Sequence, residues 1–288
     1  MEQLIQALVD GLVLSSLYAI VALGLTITFG VLEVVNFSHG QLVTLAAYLA
    51  FTMVTAGISF WLAIPLVMVC LILIGMVMEI ATFRPVRSVP INGLLVSIGW
   101  IAIFTAFIHI LWGPNQLNLD SVFRGSSKVL GISLNPNNLL VIALALVVMG
   151  LLAVLLRMTM IGKMLRATAQ NREAAALLGV RVGWMNTLAF SIGAAMAGLA
   201  GVLLANLFPI TPALGDSYMV FAFVALVIGG AGSAVGAVLG SLVVGMAVAL
   251  AQTFGTTAVA STLPFIVLII VLLFRPRGLI RTESEASL

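Results

Sequence analysis

The chain has 288 residues, 62% of them hydrophobic, with a mean hydropathy of +1.28 and charged residues held to 7%. A soluble domain of this size could not cover so much apolar surface, so the composition points to a polytopic membrane protein. The net charge of +3 and pI near 9.5 do not indicate a nucleic-acid binder, because the basic residues sit in short loops and at the C-terminus, as the positive-inside bias expects.

The opening MEQLIQALVDGLVLSS lacks the positive n-region of a cleaved signal peptide, so the first span is expected to be retained, with Glu2 and Asp10 ahead of it. Apolar segments then follow at about residues 11–30, 41–57, 61–83, 92–112, 138–156, 187–208, 218–250 and 262–274. Most approach the ~20 residues that cross ~30 Å of hydrocarbon as a helix. The seventh is too long for one helix and the eighth is short. The single cysteine, Cys70, lies in an apolar run, which excludes an intrachain disulfide and fits a packing role.

Between the first two segments, FGVLEVVNFSHGQL clusters Glu33, Asn36, Ser38 and His39, and Gly40 closes the cluster. Two readings stand side by side. One is a surface turn with Ser38 or Asn36 capping the next helix. The other is an unwound segment at membrane depth, tolerated only where it is packed in protein or lines a wet cavity.

Glu79 lies five positions before Arg84, close to an interface, and is expected to be paired or solvated. His109 sits near the opposite end of its span. With His39 it makes up the whole histidine complement, too far apart in sequence for a metal site. Neither a paired nucleophile and base nor a ligand set can be assembled, so no catalytic residue and no cofactor are expected in this chain.

The polar run RMTMIGKMLRATAQNREAAALLGVR, residues 157–181, holds five of the twelve Lys+Arg residues and reads as short helices between two spans. With Arg84, Arg87, Arg275, Arg277 and Arg281 it is expected on the cytoplasmic side. Residues 209–217 then form an external loop, and 218–250 must turn back on itself. The break is expected at Gly229-Gly230-Ala231-Gly232-Ser233, where each glycine weakens a helix by about 1 kcal/mol relative to alanine. Counting backward places the N-terminus outside. The small residues of 193–201 and the Gly236-x-x-x-Gly240 spacing are expected to serve close helix packing. No GxxxxGK[ST] loop is present in the sequence, so an energy source would have to come from another subunit.

Asn171 through Gly179 contains EAAxxxG, which resembles the EAA loop of ABC-importer permeases, a short cytoplasmic helix that docks into a groove on an ATPase subunit. Four stretches in order, GLVLSSLYAIVALGLTITFGVLEVVNFSHG, GKMLRATAQNREAAALLGV, VIGGAGSAVGAVLG and LFRPRGL, make nearly the whole chain similar to the permease subunits of branched-chain amino acid ABC importers, the LivH type. The resemblance implies an all-α polytopic fold of about eight to ten transmembrane helices, some broken. It implies one permease domain over 1–288, with a cytoplasmic coupling loop at 157–186. Arg172, Glu173, Ala174, Ala175 and Gly179 would mark the ATPase contact.

By the same resemblance, Asn36, Ser38, His39 and Gly40 mark a broken-helix segment beside the translocation path, and Gly229, Gly230, Gly232 and Ser233 a corresponding break in the second half. The unwound reading of 31–40 is thereby favoured. The implied partners are a second homologous permease, two cytoplasmic ATPases carrying ATP and Mg, a periplasmic substrate-binding protein, a small amino-acid substrate and the lipid of a bacterial inner membrane. No nucleic acid is implied. Other cargo of the same architecture, such as urea or short amides, and a stand-alone ion-coupled carrier or channel, are the alternatives. The carrier predicts ionisable groups in mid-span, and the chain has few.

Overall fold

Residues 2–32 hold no proline, and helix α1 (Glu2–Leu32) runs through all of them. Its 31 residues span about 46 Å at 1.5 Å each, so it starts outside the hydrocarbon rather than at residue 11. The computed structural model describes residues 2–280 except 88, 124, 126, 130, 131 and 277, with backbone alone at 90, 127–129 and 132–134. Arg277 and Arg281, two of the charges that orient the C-terminus, lie outside the described residues.

After α1 come α2 (His39–Thr55) and α3 (Phe60–Met78). The latter continues through a π-turn at Glu79–Phe83 into α4 (Arg84–Val86). The widening has a local cause: Pro85 has no N–H for the carbonyl four residues back, and the Thr82 hydroxyl donates to the Met78 carbonyl at 2.6 Å. Helix α5 (Pro90–Trp112) ends at Gly113, whose φ of 77° suits glycine.

In the following loop a short antiparallel hairpin, β1 (Ser127–Val129) with β2 (Ile132–Leu134), precedes α6. Helix α6 (Pro136–Met158) starts with Pro136 in its first turn and Asn135 capping Asn137 N at 2.9 Å. The polar run forms α7 (Met160–Gln170) and α8 (Arg172–Leu177). Helices α9 (Val182–Leu207), α10 (Leu214–Gly229), α11 (Ala234–Phe254) and α12 (Thr257–Phe274) complete the chain.

Seven of these segments are long and apolar enough to span a membrane. With the shorter apolar α10, the described residues hold eight such helices, within the expected range of eight to ten. The break in 218–250 falls where the glycines predicted it, between Gly229 and Ala234.

Contacts at the helix ends fix which ends share a side. Arg172 on α8 donates to the Val31 carbonyl at the end of α1. Leu279 N and Ile280 N donate to the carbonyls of Ile228 and Gly229 at 2.8 and 3.0 Å. Gly232 packs on Gly30. The ends of α1, α10 and α12 therefore lie with the basic loop. At the other face, Trp112 Nε1 donates to Thr52 Oγ1 at 2.8 Å, and Leu117 pairs with Ile210 as a β-bridge.

Helices α1 and α9 form the buried axis, with α2, α3, α10 and α11 around them. The axis is packed through small residues, as 193–201 and Gly236-x-x-x-Gly240 led us to expect. Gly236 sits on Gly229 and Gly240 on Ala225 within this chain, Gly193 on Gly24, and Gly201 on the Val43 carbonyl.

One test is Gly245 on α11, where an added Cβ would lie 2.5 Å from Ser15 N and 2.6 Å from Ser15 Cα on α1. Gly99 on α5 has nothing within 4 Å. G245A should cost about 1–3 kcal/mol through overpacking. G99A should be neutral or stabilising by about 1 kcal/mol. Thermal unfolding of the two purified variants in detergent checks the contrast, and equal midpoints would refute it.

Candidate functional site

The polar cluster after α1 is a buried reversal. Glu33 is the one non-glycine residue with positive φ among the described residues, at 59°, and its N–H closes α1 on the Phe29 carbonyl at 2.8 Å. Ser38 does not cap α2 with its side chain. Instead, Asn36 Oδ1 accepts from Ser38 N at 3.1 Å and from Ser38 Oγ at 2.5 Å. Asn36, Ser38 and His39 are all buried, while Glu33 and Phe37 are exposed.

The depth of this reversal follows from its neighbours. The His39 imidazole packs where a Cβ on Gly24 would stand 3.0 Å from its Cε1 and Nε2. Gly24 lies eight residues, about 12 Å, back from the end of α1. Helix α2 thus begins about 12 Å back along α1 from its Leu32 end, with Asn36 and Ser38 of the intervening irregular backbone buried in protein.

The first turn of α10 meets it. Gly40 and Gly215 press backbone to backbone, Thr44 Oγ1 accepts from Gly215 N at 2.9 Å, and Gln41 Nε2 donates to Asp216 Oδ1 at 2.9 Å. From this meeting point α2 runs outward and α10 inward, so two helix N-termini converge at depth. This corrects the reading of 209–217 as wholly external loop: Leu214 onward is helix, seated about 20 Å from the Gly229 end.

Gly229, Gly230, Gly232 and Ser233 lie elsewhere. They form the turn into α11 beside the C-terminal end of α1, with φ of 105° at Gly230 and 88° at Gly232, and Ser233 Oγ accepting from Gly236 N at 3.0 Å. The structure does not bring them together with Asn36, Ser38, His39 and Gly40; the partner of that cluster is 214–216. Asp216, Gln41 and Thr44 were missed by sequence reasoning. The available signal was a lone carboxylate two residues ahead of an apolar run.

On the outer half, a cavity of about 770 Å³ opens between α1, α10, α11 and α12. Leu14, Tyr18, Tyr218 and Phe221 line it with apolar and aromatic surface, and Asp10, Asn138, Gln252 and Ser261 add polar groups. Tyr18 stacks obliquely on Tyr218 and edge-on to Phe221, with centroids 5.7 and 5.6 Å apart.

In the basic loop, Asn171 Oδ1 caps α8 by accepting from Ala174 N at 2.9 Å. At its end Gly179 N donates to Ala176 O and Val180 N to Ala175 O, both at 3.0 Å, the two bonds of a Schellman stop. Gly179 has φ of 86° and open space around it. Ala175 faces inward, whereas Glu173, Ala174 and above all Leu177 and Leu178, 88% and 84% exposed, project outward. Arg172 points the other way, to α1.

Beside it lies a charge cluster. Glu79, fully buried, pairs with Arg84 at 3.0 Å and accepts from Thr187 Oγ1 at 2.7 Å. Arg84 Nη2 also lies 2.6 Å from Thr187 Oγ1. The expected pairing of Glu79 is present, but water does not reach it. Burial, and after it the positive charge of Arg172, holds the Arg87 guanidinium below its ordinary range. His109 Nδ1 lies 2.7 Å from the Thr105 carbonyl of its own helix.

These features define a multi-pass helical membrane protein in which two short helices meet inside the bundle and a short capped helix stands exposed on the basic loop. Residues 7–272 match the model of the family described as branched-chain amino acid transport system / permease component, and the chain belongs to that family. It is 32% identical to the high-affinity branched-chain amino acid transport system permease protein LivH of Salmonella typhimurium, over 98% of this chain and 97% of the relative. The corresponding protein BraD of Pseudomonas aeruginosa is 32% identical over the same shares. A probable LivH of Methanocaldococcus jannaschii is 28% identical over 93% of this chain and 90% of its own length. No solved structure matches the chain.

The ion pair yields an asymmetric expectation. Arg84 is 42% exposed and can turn to water, whereas Glu79 is 0% exposed and cannot. R84A should therefore cost about 3–5 kcal/mol by stranding a buried carboxylate. E79Q keeps the Thr187 bond and should cost about 1–2 kcal/mol. Thermal midpoints in detergent would rank R84A below E79Q, and the reverse order would show that the carboxylate is not isolated from water.

Proposed function

We propose that the chain is one of two membrane subunits of an ATP-driven importer for branched-chain amino acids, set in a bacterial inner membrane. The observation that carries the reading is α8. A six-residue helix with a capped start and a glycine stop holds two leucines out into water at 88% and 84% exposure. Two adjacent leucines so exposed form an apolar point that fits a partner groove, here that of an ATPase subunit. Glu173 ahead of them suits the positive end of the helix dipole.

In this reading, two ATPases bind ATP and Mg beneath a pair of related permeases, and a binding protein delivers the amino acid from outside. The chain itself carries no catalytic group. Closure of the ATPase dimer displaces α8, and Arg172 passes the motion to the end of α1 and so to the reversal at 33–38. The outer cavity, aromatic-walled with a polar rim, suits reception of a small zwitterion with an aliphatic side chain. Specificity can rest with the binding protein, so the family relation to branched-chain permeases, rather than any single residue, supports the cargo over urea or amides.

The test is co-purification with the ATPases. L177S combined with L178S should remove about 2–4 kcal/mol of apolar burial at the contact. The ATPases should then be lost from the detergent complex while membrane insertion and thermal midpoint stay unchanged. Leucine uptake in proteoliposomes, driven by ATP with a leucine-specific binding protein, should fall in parallel. A double variant that retains both ATPases and uptake would remove α8 from the contact.

A further inference from the structure

The geometry points to Asp216 as the ammonium-binding group of a substrate site on the exposed flank of α10, with Phe37, Val220 and Phe223 as the surface for an aliphatic side chain. The inference rests on the import reading and deepens it.

Asp216 is exposed, yet it lies in the first turn of α10 about 20 Å inside the Gly229 end, well within a ~30 Å hydrocarbon layer. An ionisable side chain at such depth faces protein or water rather than lipid. Among the described residues no cation pairs with it. It is held by Gln41, whose Nε2 donates to Oδ1 at 2.9 Å and whose Oε1, buried beside it, has no partner. Gln41 is 1% exposed, so a buried acceptor without a donor adjoins an exposed carboxylate. A primary ammonium supplies donors that the exposed carboxylate can still accept.

The surroundings match the rest of an amino acid. Asp216, Val220, Phe223 and Val227 follow at spacings of four, three and four, so they share one face of α10. Val220 is 44% exposed. Phe37, 37% exposed, comes from the reversal after α1 and meets the Phe223 ring at 5.9 Å. The same reversal that places Gln41 beside Asp216 thus places an aromatic surface next to it. This flank is separate from the 770 Å³ cavity, which α10 borders through Leu214, Ser217, Tyr218 and Phe221.

The experiment uses the assembled importer in proteoliposomes with its binding protein, ATP and radiolabelled leucine. D216N should lower uptake roughly ten- to hundredfold, the loss expected for removing one charged hydrogen-bond acceptor. D216E should recover part of it, and D216N should still co-purify with the second permease. D216C, made together with C70A, should react with 2-aminoethyl methanethiosulfonate, and leucine-loaded binding protein with ATP should slow that reaction. Undiminished uptake by D216N, or a D216C inert to the reagent, overturns the site. Loss of the second permease on D216N also overturns it, since the carboxylate would then be holding that subunit. If the wild-type assembly imports no leucine, the import reading itself falls and takes the site with it.

Discussion

Lipid tails are as apolar as leucine, so burial of side chains gives membrane helices little reason to prefer one another, and close backbone approach has to hold them. In this molecule that approach is made at glycines on and around the axial pair α1 and α9: Gly24 against Gly193, Ser15 against Gly245, Val43 against Gly201. Gly40 against Gly215 is the same device used where no full-length helix is present. It lets two short helices start inside the membrane, because each covers the first turn of the other. The polar first turns are then satisfied by Thr44 and Gln41 instead of water. Everything in the functional region depends on that contact, since the reversal at 33–38 has somewhere to lead only because α10 begins opposite.

Residues differ in how much of this they disclose in sequence. The turn at 230–233 was legible because its cause is local: glycines at 230 and 232 adopt positive φ, and Ser233 caps α11. The stop of α8 at Gly179 was legible for the same reason. The start of α10 was not. Pro209 and Pro212 make the preceding stretch read as loop, and Asp216 extends that impression; only the packing of Gly215 on Gly40 draws it into the membrane. The reversal at 33–38 was ambiguous in sequence because Asn36, Ser38 and Gly40 are as suited to a surface turn as to a buried one. Burial decides between them, and burial is a property of the assembled helices.

The cytoplasmic half supplies a mechanical route. Helix α8 is tied to the end of α1 by Arg172, and the Glu79–Arg84–Thr187 cluster ties the end of α3 to the start of α9. Both links are charged or polar and sit at membrane-edge positions where they are partly shielded from water, so they are stiff without needing large contact area. In the proposed importer a push on α8 would be delivered to the end of α1, and next in the chain is Glu33, already held at φ of 59°. A residue held in that region is a natural place for the backbone to rotate, because it gains rather than loses by leaving it.

A pathway driven by ATP has a different requirement from a tight receptor: the cargo must be held well enough to enter and weakly enough to leave. Two helix N-termini converging on Asp216 place partial positive charge beside its carboxylate, and Gln41 donates a hydrogen bond to it. Both reduce the pull that the carboxylate can exert on an ammonium. Phe37 and Phe223 add apolar contact without direction. A wall of this composition favours an amino acid over bare hydrocarbon or water while keeping it mobile. In the proposed importer, that balance would suit a subunit whose selectivity rests with a binding protein.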